Sequence, residues 1–145
     1  MARDGRGPVA SILGLAGGLG AVAVDILYLL AIAQQGVTPP GGRVVFVAGW
    51  VAVAGGAAVI GAFVRPPSRR AVVLGSAAAM LFALAVPALF SFGIALMLCA
   101  AIVGLAALRA GEMAGLPGWS GLVGPLALVM LAGMGVALGF ALTDF

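Results

Sequence analysis

Residues 71–108 read AVVLGSAAAMLFALAVPALFSFGIALMLCAAIVGLAAL and carry no charged side chain. A single helix of this length would be about 57 Å long, roughly twice the thickness of the hydrocarbon core of a bilayer. Two shorter helices fit the same stretch if the chain folds back around Pro87 and the segment 90–93, because proline cannot continue a helix. We therefore predict one membrane span over 71–89 and another over 91–108.

The composition of the whole chain agrees with a membrane protein. The chain has 145 residues, of which 64% are hydrophobic and 8% charged, whereas soluble domains average about 45–50% apolar and about 25% charged residues. This excludes a soluble globular domain, a disordered segment and a secreted disulfide scaffold. Three more apolar stretches, bounded by turn-forming or polar residues, are predicted to span the membrane over 9–33, 44–64 and 121–142. The predicted fold is an all-α integral membrane protein, a single domain over 1–145 built as a bundle of about five transmembrane helices.

The arginines predict the orientation of this bundle. Short cytoplasmic loops are enriched in positive charge, and five spans with a cytoplasmic N-terminus leave only Arg43 outside. The arginines then on the inside are Arg3, Arg6, Arg65, Arg69, Arg70 and Arg109. If residues 71–108 crossed the membrane only once, Arg109 would lie outside and the excess of arginines on the inside would be smaller. We therefore expect the N-terminus to be cytoplasmic and the C-terminus to lie outside.

The first span is expected to be retained in the mature protein. A signal peptide is the alternative, but this apolar stretch exceeds the usual core of about 7–15 residues and Asp25 interrupts it. The chain contains no Lys and no Asn but much Ala and Gly, which favours a GC-rich bacterial genome. The expected location is the bacterial inner (plasma) membrane, with the lipid bilayer as a partner.

Several classes of chemistry are excluded by the residues that the sequence lacks. Without His there is no Ser-His-Asp triad, no usual zinc site and no bis-imidazole haem site, and without Lys there is no retinal Schiff base and no lysine nucleophile. The single Cys99 cannot form an internal disulfide. We expect no catalytic residue, no cofactor, no metal site and no nucleic-acid partner, and the protein is not expected to be an enzyme.

Asp25 is the most informative residue for function. It is predicted to lie inside the first span, where an acidic group costs about 2.5–3.5 kcal/mol on insertion scales and seldom faces lipid. Tyr28, one helical turn further on, and Trp50, at a similar depth in the second span, are the expected hydrogen-bond donors to its carboxylate. Together these residues form a candidate intramembrane polar site.

The helical repeat through Asp25 predicts which face of the first span packs against other helices. Small residues let helix backbones approach closely and polar ones bond across helices. Gly17 and Gly20 lie off this stripe, so we expect them to be less tightly packed. The predicted packing seam consists of Ser11, Gly14, Gly18 and Ala21, and continues through Asp25 to Tyr28, Ile32 and Gln35.

Two interpretations of Asp25 remain open. In the functional interpretation, Asp25 is a proton or cation site, or a charge that meets a partner subunit. In the structural interpretation, it is a protonated or hydrogen-bonded carboxyl group that locks helix packing. The lack of a second ionisable group to relay a proton favours the structural interpretation. The sequence therefore predicts a small, non-catalytic accessory or structural subunit of a larger membrane complex. The alternative is a small homo-oligomeric transporter or channel with Asp25 in its pathway, since symmetry can bring several acids together.

Overall fold

The computed structural model describes residues 6–36, 41–115 and 120–143, which form helices and no strand. The described α-helices are α1 (Arg6–Gln34), α2 (Gly42–Phe63), α3 (Pro67–Ala85), α4 (Ile94–Met113) and α5 (Ser120–Thr143), and a π-helical segment (Leu89–Gly93) precedes α4. Both chain ends, on which the predicted orientation depends, lie outside these ranges.

Several of these helices have the length and composition of membrane spans. Within the described residues, four segments are long and apolar enough to cross a bilayer: Pro8–Gln34, Gly42–Phe63, Pro67–Ala85 and Leu89–Met113. In α5 the apolar segment found in this way, Val129–Leu142, is shorter. The predicted all-helical fold is confirmed in the described residues, with four helices that could span a membrane, and the fifth span stays a prediction.

The chain reverses direction between α3 and α4 within the long uncharged stretch. Ala88 is the centre of this turn, because its carbonyl oxygen accepts hydrogen bonds from the backbone N–H of Ser91 at 2.9 Å and from that of Gly93 at 2.8 Å. The Ser91 hydroxyl donates to the same oxygen at 3.0 Å. A Cβ on Gly93 would collide with the backbone of Ala85 and Ala88. Proline at position 87 and glycine at position 93 therefore suit a reversal that an ordinary helix does not allow.

Helices α1 to α4 form a four-helix bundle. α1 packs between α2 and α4, α3 also packs between α2 and α4, and α5 lies outside the bundle against α3 with a smaller contact to α2. Consecutive helices run antiparallel, so the end of α1, the start of α2 and the α3–α4 turn lie together, at what we call the Gln34 end. The opposite end, where α2 is followed by α3, is called the Arg65 end.

The interior of the bundle is apolar. Every side chain that the structure describes as buried is apolar, and many of these residues are alanines. The largest fully buried side chains in the described residues are leucines: Leu74, Leu81 and Leu84 of α3 and Leu96 of α4. The alanines and glycines around them let the helices approach closely, which is the usual way that membrane helices pack.

Candidate functional site

The predicted seam of α1 forms its contact with α2. Gly14, Gly18 and Ala21 are buried and Ser11 is half-buried. A Cβ on Gly18 would lie 2.9 Å from the carbonyl oxygen of Gly55 in α2, and a Cβ on Gly55 would lie 3.2 Å from the carbonyl oxygen of Gly18. The two glycines thus face one another, and the helix backbones meet there with no room for a side chain.

A second face of α1 packs just as closely, against α4. A Cβ on Gly17 would lie 2.5 Å from a methyl group of Val103 and 3.2 Å from the carbonyl oxygen of Cys99. A Cβ on Gly20 would lie 3.2 Å from the Cys99 sulfur. The expectation that Gly17 and Gly20 are less tightly packed is therefore wrong. Residues 17 and 18 point about 100° apart on a helix, so one can face α4 while the other faces α2.

Asp25 lies on the α2-facing stripe, seven residues beyond Gly18 and nearer to the Gln34 end. The residue is half-buried, and its Oδ1 atom is fully buried with no hydrogen-bond partner in the described part of the chain. Burying a carboxylate oxygen without a hydrogen-bond partner carries a cost in free energy that destabilises the folded protein. A proton, a cation or a donor from another chain would each lower that cost.

Tyr28 connects α1 to the α3–α4 turn. Its ring lies 4.6 Å from the ring of Phe92, centroid to centroid, with 42° between the ring planes. Phe92 belongs to the π-helical segment, and π-helical turns often occur at functional sites. The Tyr28 hydroxyl donates no hydrogen bond to Asp25 Oδ1, so the predicted bond to this oxygen is wrong. The stack instead links the turn at the Gln34 end to the helix that carries Asp25.

Trp50 does not bond to Asp25. Its indole N–H donates to the backbone carbonyl oxygen of Met80 in α3, at 3.0 Å. The predicted hydrogen bond to Asp25 is therefore wrong, although both residues lie in the half of the bundle nearer to the Gln34 end. The reason is the direction of the side chain: five residues separate Trp50 from Gly55, which faces α1, so the two point about 140° apart around α2.

Trp50 belongs instead to an aromatic cluster, which we define as Arg43, Phe46 and Trp50 of α2 with Phe140 of α5. The Phe46 ring lies 5.7 Å from the Trp50 ring and 5.8 Å from the Phe140 ring. The Arg43 guanidinium carbon lies 5.9 Å from the Phe140 ring centroid. Sequence reasoning missed this cluster, but the 43-46-50 spacing along one helical face was a usable signal.

The glycines of α5 fit against this aromatic cluster. A Cβ on Gly135 would lie 3.0 Å from the Trp50 ring, and a Cβ on Gly139 would collide with the ring of Phe46. The pair Gly135 and Gly139 has the GxxxG spacing that often brings two helix backbones together. Here it makes room for two aromatic rings.

The remaining acidic and sulfur-containing side chains of the described residues form no metal-binding cluster. Within these ranges there is no group of three or more His, Cys, Asp or Glu side chains that could hold a metal ion. Cys99 is a buried free thiol beside Gly20. The candidate site is therefore Asp25 together with Tyr28 and Phe92, and Trp50 is part of the separate aromatic cluster.

Comparisons of this chain with protein-family models, with curated proteins and with solved structures find no match.

Proposed function

We propose that this chain is a multi-pass protein of the bacterial plasma membrane that serves as an accessory or structural subunit of a larger membrane complex. The proposal includes five spans, a cytoplasmic N-terminus and an outer C-terminus, supported by the arginine distribution and by the helix lengths. In this orientation the Gln34 end faces outward and the Arg65 end faces the cytoplasm.

The observation that carries the proposal is the packing of the bundle interior. In the described residues every buried side chain is apolar, and α1 meets α2 and α4 through glycines at which an added Cβ would crowd the neighbouring helix. Ion and solute pathways through membrane proteins are marked by polar or ionisable groups that face a cavity or the bundle interior. A tightly packed apolar bundle supports a role in assembly better than a role in transport.

The outer surface of the bundle supports the same role. Large apolar side chains are exposed along α1, α2 and α4, among them Ile12, Leu27, Ile60 and Leu98. Such a surface suits lipid and the apolar faces of other membrane helices, which pack through van der Waals contacts. Assembly with other subunits therefore needs no polar docking site on this chain.

One observation favours the second candidate, a homo-oligomeric transporter or channel. The buried Oδ1 atom of Asp25 has no hydrogen-bond partner in the described residues, and intramembrane acids commonly mark ion or proton pathways. In a symmetric oligomer, one such acid per chain can form a ring. This candidate requires that the oligomer bring the Asp25 carboxyl groups to a shared pathway.

Gentle purification of the full-length chain distinguishes the two candidates. We expect native mass spectrometry of the tagged protein, extracted into lipid nanodiscs, to show other membrane chains in fixed stoichiometry. A lone homo-oligomer that passes protons or ions in liposomes would contradict the accessory role, and loss of that flux in Asp25→Asn would establish the transporter.

The same Asp25→Asn variant also tests the accessory role. If the carboxylate pairs with a positive charge on another subunit, Asp25→Asn weakens partner retention, because that charge is left without a counter-charge in the membrane. Asp25→Glu, which keeps the charge, is the matched control. Equal partner retention in the wild type and in Asp25→Asn would show that Asp25 forms no ion pair with a partner.

A further inference from the structure

The buried Oδ1 atom of Asp25 receives no hydrogen bond within the described ranges. The two donors that the sequence predicts for it make other contacts: the Trp50 indole N–H donates to the Met80 carbonyl oxygen, and the Tyr28 ring stacks on Phe92. An ionised carboxylate buried without a donor is unfavourable, because nothing replaces the hydration that it loses. A proton on the carboxyl group removes the charge that causes this cost.

The helices that pack against α1 place their charged residues away from Asp25. α1 lies between α2 and α4, and residues 44–63 of α2 and 94–108 of α4 carry no charge. Apart from Asp25, the charged residues of these three helices lie near helix ends: Arg6, Arg43, Arg109 and Glu112. The Arg43 guanidinium lies over the Phe140 ring of α5, and the other titratable groups are the Tyr28 hydroxyl and the Cys99 thiol. The described part of the bundle therefore supplies no counter-charge to Asp25.

The surroundings of Asp25 suit a proton better than a metal cation. A cation such as Ca²⁺ takes about six to eight oxygen ligands. Among the residues that the structure describes, no three His, Cys, Asp or Glu side chains come together, and every buried side chain is apolar. A proton needs only the carboxyl group itself, which then becomes an O–H donor. The ion that fits this site is therefore a single proton.

Asp25 lies close to the point where the bundle ends at the Gln34 end. Tyr28 stacks on Phe92, in the segment that precedes α4, so Asp25 lies only about 5 Å below the start of α4 along the axis of α1. Beyond Tyr28, α1 continues to Gln34, a further rise of roughly 9 Å. The ring stack is thus the layer of side chains between Asp25 and the space beside the last turns of α1.

Toward the Arg65 end, the seam between α1 and its neighbours is closed. A Cβ on Gly18 would lie 2.9 Å from a methyl carbon of Val59, and a Cβ on Gly14 would lie 3.1 Å from a methyl carbon of Leu74. Gly18 is about 10 Å from Asp25 along the helix, so this packed seam begins within two turns of the carboxyl group. Water therefore has a shorter and less obstructed route to Asp25 from the Gln34 end.

We propose that Asp25 is a proton-binding site, whose carboxyl group carries one proton at neutral pH and exchanges it with water at the Gln34 end. The orphaned Oδ1 atom supplies the binding group, the lack of further ligands selects the proton, and the closed seam sets the side of exchange. The proposal goes beyond both functions proposed above, because a single chain binds the proton without a partner and without transport.

Infrared spectroscopy of the purified full-length protein in lipid vesicles tests proton binding. A protonated carboxyl group has a carbonyl stretching band that an ionised carboxylate lacks, and the difference between the spectra of the wild type and of Asp25→Asn isolates the band of Asp25. We expect this band at neutral pH, with equal intensity in buffers of Na⁺, K⁺ or Ca²⁺. Glu112→Gln, which removes an acid at the Arg65 end, is the matched control and should keep the band.

The rate of proton exchange tests the route. Transfer to D₂O shifts the same band, so the speed of the shift measures how fast the bound proton exchanges. We expect Phe92→Ala to speed the exchange severalfold, because it removes one ring of the stack between Asp25 and the Gln34 end. Val59→Ala, which removes a side chain from the seam on the other side of Asp25, is the matched control and should exchange at the wild-type rate. If Phe92→Ala does not fold, Phe92→Leu takes its place, since it removes the ring and keeps an apolar side chain.

Three results would overturn the proposal. The first is the absence of the Asp25 band from the wild type at neutral pH, and the second is its loss on addition of Na⁺ or Ca²⁺, which would identify a metal-cation site. The third is an exchange rate that the Phe92 variant leaves unchanged or that Val59→Ala raises as much. None of these results depends on partner retention or on ion flux, so they are distinguishable from a failure of either proposed function.

Discussion

Asp25 and Trp50 show how strongly the direction of a side chain decides which residues can pair. Both lie toward the Gln34 end of the bundle, yet the indole N–H of Trp50 bonds to the Met80 carbonyl oxygen while Asp25 Oδ1 has no partner in the described residues. A carbonyl oxygen has two lone pairs, so it can accept a side-chain donor in addition to its helical hydrogen bond. The indole is therefore satisfied without the carboxylate.

A double-mutant cycle tests whether Trp50 and Asp25 interact. Trp50→Phe should cost about 0.5–1.5 kcal/mol, since it removes one hydrogen bond and keeps an aromatic ring. Because that bond goes to Met80, we expect Trp50→Phe and Asp25→Asn to be additive within about 0.5 kcal/mol. Equilibrium unfolding in mixed micelles measures the free energies. A coupling energy above about 1 kcal/mol would show that the indole and the carboxyl group interact after all.

At the scale of the elements, α1 is held on two sides by glycines. Gly18 faces α2 and Gly17 faces α4, and at each a Cβ would crowd a neighbouring helix. One helix thus meets two neighbours through backbone contacts, which explains why its sequence is rich in glycine although glycine is a poor helix former. The close contact between helix backbones therefore stabilises α1 more than the low helix propensity of glycine destabilises it.

Leucine substitutions test these two faces. We expect Gly17→Leu and Gly18→Leu each to destabilise the protein by about 1–3 kcal/mol or more, because both side chains would enter a packed contact. Gly49→Leu and Gly56→Leu are matched controls in α2, where a Cβ meets no atom within 4 Å. Thermal unfolding in detergent gives the comparison. If Gly17→Leu behaved like Gly56→Leu, the α1–α4 contact would be looser than described.

The π-helical turn before α4 gives a second prediction at this scale. Gly93→Ala should destabilise the protein by at least about 1 kcal/mol, because the new Cβ would meet backbone atoms of Ala85 and Ala88 that cannot move aside cheaply. Gly104→Ala in α4 is the control, since its Cβ meets Ala78 at an ordinary 3.8 Å. Thermal unfolding of the two variants should shift in opposite directions, because alanine favours a helix where space allows. Equal shifts would mean that the turn accepts a Cβ at position 93.

At the scale of the whole molecule, α5 is the helix that lies outside the four-helix bundle. It packs on α3 and touches α2 through the aromatic cluster and the glycine pair, while α1 to α4 enclose the leucine core. Because α5 is attached on one side, an apolar groove remains between α3 and α5. If α5 spans the membrane, the direction in which it crosses decides on which side the C-terminus lies.

Cysteine labelling tests the proposed orientation of the whole chain. In a Cys99→Ala background, Gln35→Cys should react with an impermeant reagent in intact cells, and Ser68→Cys should react only after permeabilisation, because the Arg65 end is rich in positive charge. A reporter fused after Phe145 should be active outside. Finding both chain ends on the same side would contradict five spans.

Much of the architecture followed from the sequence alone because it depends on local and one-dimensional properties. Apolar segments of sufficient length predict helices that can span a bilayer, and residues 71–108 are too long for one span, with a proline and a glycine near the point of reversal. The stripe through Gly14 and Gly18 was also predictable, since the helical repeat places those residues on one face. Each of these inferences uses only the order of residues along one segment.

The tertiary structure alone decided which helix each face meets. The sequence could not show that Gly17 faces α4, that Trp50 bonds to Met80, or that Phe92 stacks on Tyr28, because these contacts depend on how each helix is rotated about its axis and which helix lies beside it. In a chain that is apolar on nearly every side, hydrophobicity does not select that rotation. The fit of small residues against larger ones selects it, and this fit exists only once the helices are packed together.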